Sequence, residues 1–317
     1  MKNYFILLIC LVLASLLNLD CSSASSVYYN EGTKAYNGGN YFLALEGYSK
    51  AIHADPNDAL AYYGRAKTKS MLKEDKAAID DYSIALLLNP DFGEAYLGKG
   101  ISELLIEQYE LALNDLNKAI ELLPENETAF FSRAYVKSKL GDPEGALKDY
   151  DKASQLKPDD ERIYINRGNV KADLDDHLGA IDDFTTALEL DSTDVSAYIN
   201  RGTDKGIIGD YEGAIKDFTA AISLEPDNTD LYFMRGEAKN MMDNYSEAIK
   251  DFTHILKISP NDAKAYYRRG LDYIALKNKK SGCRDLLKAG DLGFYDSYEA
   301  INKYCKRERV LKEKRKK

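Results

Sequence analysis

The chain has 317 residues, of which 44% are hydrophobic and 30% are charged, and 43 basic against 52 acidic side chains leave a formal net charge of −9. These proportions are those of an ordinary folded protein, and they exclude a disordered acidic tail and a multi-pass membrane protein. The acidic balance argues against a nucleic-acid-binding protein, because phosphate binding needs clustered lysine and arginine side chains.

The first 24 residues have the pattern of a secretory signal peptide. Lys2 and an apolar run over 4–17 precede small and polar residues, and the run is shorter than the roughly 20 apolar residues that a membrane-spanning helix needs. Cleavage after Ala24 is one outcome. Cleavage before Cys21, with lipidation of that cysteine, is the other, because the segment resembles a bacterial lipobox apart from Asp20. We therefore expect an exported protein, periplasmic or an outer-membrane-associated lipoprotein if bacterial and otherwise secreted.

Residues then recur with a period of 34. The last turn of a period holds Pro56, Pro90, Pro124, Pro158, Pro226 or Pro260, and Ser192 stands at the one missing place. Two small residues twelve positions apart keep the same register, as in Ala66 with Ala78. Four positions after the second small residue come Tyr48, Tyr82, Leu116, Tyr150, Phe184, Phe218, Phe252 and Leu286. Such spacing predicts two antiparallel helices in each period, with small residues where the helices approach closely.

Turn residues separate the predicted helices. Gly141-Asp142-Pro143 marks the turn inside a period, with aspartate as N-cap and proline in the first helical turn. Between periods, the predicted N-caps of the next helix are Asp58, Asn126, Asp160, Asp194, Asn228 and Asp262.

This pattern of small, aromatic and proline positions resembles the tetratricopeptide repeat family over residues 25–290, which make eight repeats. The resemblance implies an all-α fold, a right-handed α-solenoid of about eight helix-turn-helix units with a C-terminal capping helix over 291–305. The residues that are similar to the solvating helix of such arrays are Cys283, Ala289, Leu292, Gly293, Tyr298, Ile301 and Cys305. A basic tail over 306–317 follows.

The cysteines and histidines predict a disulfide and no metal site. Cys10 leaves with the leader, so Cys283 and Cys305 remain besides Cys21, and two thiols in an oxidising compartment suggest one disulfide. Two buried free thiols are the alternative. The histidines stand alone at positions 53, 177 and 254, so we expect no zinc site and no cofactor.

Every repeat after the first carries a base just before its first small residue and an aspartate sixteen residues later. The bases are Arg65, Lys99, Arg133, Arg167, Arg201, Arg235 and Arg269, and the acids are Asp81, Asp115, Asp149, Asp183, Asp217, Asp251 and Asp285. The first repeat has Glu31 and Gly47 instead. Because both members are lost together, we predict seven pairs that join the two helices of their own repeat.

The resemblance places the first helix of each repeat on a concave binding face. The fifth residue of each repeat forms a set that we name the ladder: Tyr29, Tyr63, Leu97, Phe131, Ile165, Ile199, Phe233 and Tyr267. We expect the ladder to bind an extended peptide or a partner helix; packing between the helices is the alternative role. Some members of the family grip a C-terminal carboxylate, and Lys264 and Arg268 match one pair of that clamp. Met234, Ile199 and Thr203 replace its other residues, so no such clamp is expected.

No catalytic constellation is visible in the sequence, which lacks a glycine-rich phosphate loop and a nucleophile elbow, and each histidine lacks an evident partner. We expect a non-enzymatic exported scaffold that binds proteins or peptides, not nucleic acid, in envelope assembly or maintenance. The alternatives are a structural or surface protein that self-associates or makes external contacts, and an accessory subunit that positions an enzyme. The tail has eight bases and two acids. It is either a solvated end of the chain or a segment that is attracted to an anionic membrane or polymer surface.

Overall fold

The computed structural model describes residues 24–305, which form seventeen helices and no β-strand. The helices are α1 over 24–37, α2 Tyr41–Ala54, α3 Ala59–Met71, α4 Asp75–Leu88, α5 Gly93–Leu105, α6 Tyr109–Leu122, α7 Glu127–Lys139, α8 Pro143–Leu156, α9 Glu161–Asp173, α10 His177–Leu190, α11 Val195–Ile207, α12 Tyr211–Leu224, α13 Thr229–Met241, α14 Tyr245–Ile258, α15 Ala263–Ala275, α16 Lys279–Asp291 and α17 Asp296–Tyr304. The leader with Cys21 and the basic tail lie outside the described residues, so both remain predictions from sequence.

The chain divides into two compact halves, one ending at Pro158 and the other beginning at Asp159. The first contains α1–α8 and the second α9–α17. In each half, helices that follow one another in the chain pack together, both inside a repeat and between repeats. Each 34-residue period is therefore one helix-turn-helix unit, and the predicted all-α array of eight repeats is confirmed. Odd-numbered helices up to α15 are the first helices of repeats 1 to 8.

The turns between repeats are capped as predicted. A backbone N–H in the first turn of the following helix donates to Asp58, Asn126, Asp160, Asp194, Asn228 and Asp262. Repeat 3 is the exception, because Phe92 stands at this place without a side-chain cap. Its ring instead packs on Tyr63 of the preceding repeat, with 4.7 Å between the centroids.

The turn inside each repeat passes through a left-handed backbone conformation at one fixed position. The residues with positive φ are Gly39, Lys73, Glu107, Gly141, Asp175, Gly209, Asp243 and Lys277, again 34 apart. Glycine adopts this conformation freely, whereas another residue loses about 1 kcal/mol there. The repeats therefore share one turn geometry but differ in the strain that the turn carries.

The core lies where the two helices of a repeat cross. In repeat 4, Ala134 and Ala146 are fully buried, and the ring of Tyr150 fills the space beside them. In repeat 5, a Cβ atom at Gly168 would stand 2.8 Å from Cε1 of Phe184, so only glycine allows this approach. The small and aromatic positions of the pattern thus set the distance between the helices.

The last helix closes the apolar end of repeat 8. Ala300 and Ile301 of α17 are buried in one cluster with Leu286. A disulfide joins Cys283 to Cys305, with 5.6 Å between the Cα atoms. A loop of this length stabilises the fold by about 3 kcal/mol in the chain-entropy model. No helix within residues 24–305 has the length and apolar character needed to cross a membrane.

Candidate functional site: the face of the first helices

The charged pairs fix the first helix of each repeat against the second. The pairs Arg65–Asp81, Lys99–Asp115, Arg133–Asp149, Arg167–Asp183, Arg201–Asp217, Arg235–Asp251 and Arg269–Asp285 have N–O distances of 2.6 to 2.8 Å. Each pair lies within one repeat, so the predicted pairing is confirmed. In repeat 1, a Cβ atom at Gly47 would stand 2.7 Å from Cα of Gly32, so the two helices leave no room for an aspartate.

The network around each pair is larger than the sequence analysis predicted. A lysine four residues after the base also reaches the aspartate: Lys69, Lys137, Lys171, Lys205 and Lys239. The guanidinium groups lie over aromatic rings three residues earlier: Tyr62, Phe130, Tyr164, Tyr198, Tyr232 and Tyr266. Both sets keep the 34-residue register, although Glu103 and Tyr273 interrupt the lysines, and this register was the signal that could have found them. The aspartates and their cations join the two helices of a repeat and are therefore structural.

Five of the paired arginines also reach the preceding repeat. In the first half, Arg65 donates to Ser49 at 3.3 Å, and Arg133 donates to Asn117 at 2.8 Å. In the second half, Arg201, Arg235 and Arg269 each donate to a threonine hydroxyl at 3.1 Å. One side chain therefore joins three helices and sets the register of neighbouring repeats.

All eight ladder residues are half-buried. Five of them stand against a second aromatic ring, and the ring pairs are Tyr29–Tyr48, Tyr63–Tyr82, Phe131–Tyr150, Phe233–Phe252 and Tyr267–Phe294, with centroids 4.9 to 6.0 Å apart. Burial raises the pKa of Tyr63 to about 12, so its hydroxyl stays neutral. Each ladder side chain therefore packs against the repeat with one part and is accessible with another, so packing is one role of the ladder.

Polar side chains beside the ladder connect one first helix to the next. Ser70 and Ser102 are hydrogen-bonded at 2.6 Å between α3 and α5. Asn200 of α11 donates to Asn169 of α9 at 2.9 Å. These contacts align the faces of successive first helices within each half.

The two clamp-like residues are engaged inside the chain. Arg268 pairs with Glu237 of the preceding repeat at 2.5 Å. Lys264 lies over the ring of Phe233, with its Nζ atom 4.0 Å from the centroid.

The histidines gave one wrong expectation. His177 was expected to lack a partner, but its Nδ1 atom lies 2.8 Å from Oδ1 of the buried Asp204. Sequence analysis missed the pair because its members are 27 residues apart and belong to consecutive repeats. Burial raises the pKa of Asp204, against the opposing effect of His177. No group of three or more potential metal ligands occurs between residues 24 and 305.

Family models place recognised repeats in the second part of the chain. A model described as TPR repeat matches residues 138–175, and two described as tetratricopeptide repeat match 161–194 and 201–263. No curated protein matches the chain significantly in sequence.

Solved structures of similar fold carry the comparison further. YrrB, described as a TPR protein with an unusual peptide-binding site, is 27% identical over 62% of this chain and 100% of its own, with a TM-score of 0.54. PilF of Pseudomonas aeruginosa is 18% identical over 70% of this chain and 99% of its own, with a TM-score of 0.59. MamA of Desulfovibrio magneticus RS-1 is 24% identical over 54% of this chain and 96% of its own, with a TM-score of 0.51. The matches over residues 138–194 and 201–263, with the eight helix-turn-helix periods of 34 residues, show that this chain is built of tetratricopeptide repeats.

Proposed function

We propose that this protein is a non-enzymatic scaffold that binds peptide or protein partners along the ladder. The observation that carries the proposal is the half-buried state of the same apolar position in all eight first helices. A side chain held against the core on one side keeps little conformational freedom, so a partner that covers its open part loses little entropy. Rigid aromatic anchors of this kind contribute much of the energy of protein interfaces.

The polar contacts beside the ladder favour an elongated partner. Contacts such as Ser70–Ser102 and Asn200–Asn169 keep successive first helices aligned. Apolar anchors that recur on consecutive helices suit an extended segment or an amphipathic helix with regularly spaced apolar residues. YrrB, a protein of similar fold, is described as having a peptide-binding site, which supports a peptide partner here.

Export and an envelope role are the finer part of the proposal. The leader-like segment and Cys21 support export, and the Cys283–Cys305 disulfide is of the kind that persists in oxidising compartments. Mass analysis of the mature N-terminus tests this part directly. A lipidated Cys21 supports an anchored scaffold, cleavage after Ala24 supports a free one, and an intact leader contradicts export.

The binding role is tested by capture and cross-linking from the native compartment with Tyr63→Ala and Ile199→Ala variants. We expect each variant to retain helical circular dichroism and to lose most of the cross-linked partner. The matched control is Leu87→Ala, which removes a side chain that is 80% exposed on the second helix α4. Equal capture by the ladder variants and the control would remove the ladder from the binding site. Capture of the protein's own copies alone would favour the self-associating alternative.

A further inference from the structure

Three oxygen atoms between the first helices of repeats 7 and 8 are buried without a hydrogen-bond partner. They are Oε1 of Glu237 and Oδ1 of Asn240 on α13, and Oδ2 of Asp272 on α15. The Asp272 side chain is almost fully buried, with 3% of its residue surface exposed. Buried polar atoms are nearly always paired in folded proteins, so three acceptors at one place indicate a missing donor.

The same position of another repeat shows what Asp272 lacks. Asp204 stands 68 residues earlier, two periods away, and its Oδ1 atom lies 2.8 Å from Nδ1 of His177. The residue two periods after His177 is Tyr245, whose hydroxyl donates to Asp243 at 2.5 Å. The repeat thus gives Asp204 a side-chain partner at this position, whereas the corresponding hydroxyl of Tyr245 donates to Asp243 and not to Asp272.

The cations near Asp272 contact other groups. Arg268 pairs with Glu237, and Lys264 lies over the ring of Phe233. Burial and the charge of Glu237 raise the pKa of Asp272 to about 7, although Asn240 and Arg268 act in the opposite direction. Burial also raises the pKa of Glu237, against the effects of Arg268 and Lys264. Glu237 is therefore paired through one oxygen only, and Asp272 has no ion-pair partner among the described residues.

We propose that a lysine or arginine side chain of a bound partner enters this cluster and donates to Glu237, Asn240 and Asp272. The inference rests on the proposed function, because Phe233 of the ladder lies one helical turn before Glu237 on the same face of α13. A partner that covers Phe233 brings its neighbouring side chains to the cluster. An ammonium or guanidinium group carries several N–H donors and a positive charge, and these match three acceptors of which two are acidic.

The test measures binding of a fluorescent tetralysine peptide by anisotropy at about 150 mM salt, where long-range attraction to the acidic protein is screened. The variant is Glu237→Gln with Asp272→Asn, which keeps the shape of both side chains. The matched control is Glu212→Gln with Asp227→Asn, which removes the same charge from exposed positions. Circular dichroism establishes that both proteins are folded.

We expect the cluster variant to bind tetralysine at least about tenfold more weakly than the wild type and the control variant less than twofold more weakly. Fully acetylated tetralysine should not bind. Asp272 must be ionised to hold a cation, so wild-type affinity should rise from pH 6 to pH 8, and this rise should shrink in Asp272→Asn. The groups acting on Asp272 in this titration are Glu237, Asn240 and Arg268, with Tyr245 beside it and Lys264 acting on Glu237.

Equal losses in the cluster variant and its control, or no binding by the wild type, would overturn the inference. The outcome for the proposed function is read separately from partner capture. If Ile199→Ala abolishes capture while the cluster variant captures normally, the ladder remains the binding site and the cluster is only a structural polar group. If capture survives in both, the proposed function itself fails.

Discussion

Repeats 3 and 4 are neighbours in the first half, yet they place the paired aspartate in opposite electrostatic surroundings. In repeat 4, Asp149 receives both Arg133 at 2.7 Å and Lys137 at 2.8 Å. Two cations therefore compensate one carboxylate, and an asparagine of the preceding repeat accepts a further hydrogen bond from the arginine.

In repeat 3 the ratio of cations to carboxylates is reversed. Lys99 lies 2.7 Å from Asp115 and 3.4 Å from Glu103, so one cation faces two carboxylates. Glu103 occupies the place of the second cation, is 1% exposed, and has one oxygen without a partner. Burial and the nearby Asp115 raise the pKa of Glu103 to about 7.

The comparison shows that the backbone of a repeat and its charges are specified separately. Both repeats keep small residues where their helices cross, with Gly100 and Ala112 in one and Ala134 and Ala146 in the other. Because the stability of a repeat array is nearly a sum over repeats and their interfaces, different ion networks give neighbouring repeats different local stabilities. We expect repeat 3 to be the more pH-sensitive of the two.

The largest effect is expected from Asp149→Asn in repeat 4. The substitution leaves Arg133 and Lys137 partly buried without their carboxylate, and loss of one partner of a buried ion pair costs about 3 kcal/mol. Hydrogen exchange of α7 and α8 should report this loss locally. Glu144→Gln, at an exposed position of α8, is the control and should change little. A loss no larger than that of the control would show that the network contributes little to repeat 4.

A smaller and pH-dependent effect is expected from Glu103→Gln in repeat 3. The folded state raises the pKa of Glu103 from 4.5 to about 7, so it holds a proton that the unfolded chain releases. The stability of repeat 3 should therefore fall as the pH rises from about 4.5 to about 7. Glutamine removes this penalty and should stabilise repeat 3 by about 2 kcal/mol at pH 8, with almost no change at pH 4.5.

Denaturant unfolding at both pH values measures the difference, with exchange of α5 and α6 assigning it to repeat 3. Glu121→Gln on the exposed side of α6 is the control, and its stability profile should follow that of the wild type. Identical pH profiles for Glu103→Gln and the wild type would mean that Glu103 is ionised in the folded state at little cost.

Arg133→Lys gives repeat 4 the base that repeat 3 uses, and its expected effect is about 1 kcal/mol. Lysine cannot keep both the paired bonds to Asp149 and the bond to Asn117. The reverse change, Lys99→Arg, should stabilise repeat 3 by less than Arg133→Lys destabilises repeat 4, because Glu103 still lacks a cation of its own. Exchange rates in α7 that match the wild type would indicate that the planar guanidinium has no special role.

The inner turns give the smallest predicted effect. Repeat 3 holds Glu107 at a φ of 62°, where repeat 4 holds Gly141 at 80°. Glu107→Gly should stabilise repeat 3 by about 0.5 kcal/mol, and Gly141→Ala should destabilise repeat 4 by about 1 kcal/mol. Thermal unfolding of the two variants measures the pair of opposite shifts, and shifts of equal sign would contradict the shared turn geometry.

Much of the fold was predictable because its determinants recur at one spacing. The 34-residue period predicted the helix pairs, the caps such as Asp58, and the pairing of each base with the aspartate sixteen residues later. Contacts between repeats were not predictable in the same way. The His177–Asp204 pair and the cluster around Asp272 depend on which side chains two helices 27 to 35 residues apart bring together, and no periodic pattern marks them.

The ladder shows where a prediction of the site reaches its limit. Its eight positions followed from the repeat register, but their division between packing and accessible surface depends on aromatic partners such as Tyr82 and Phe294. Phe294 lies outside the repeat pattern, in the turn before the last helix. Only the packed structure shows that Tyr267 rests on it.

The central claim is that partners bind along the first helices. Hydrogen exchange of the purified protein with and without its captured partner tests it most directly, since protection is assigned helix by helix. We predict that protection concentrates on odd-numbered helices such as α3, α7 and α11 and reaches the ladder residues. Protection confined to the exposed sides of even-numbered helices, with the odd-numbered helices unchanged, would contradict the account.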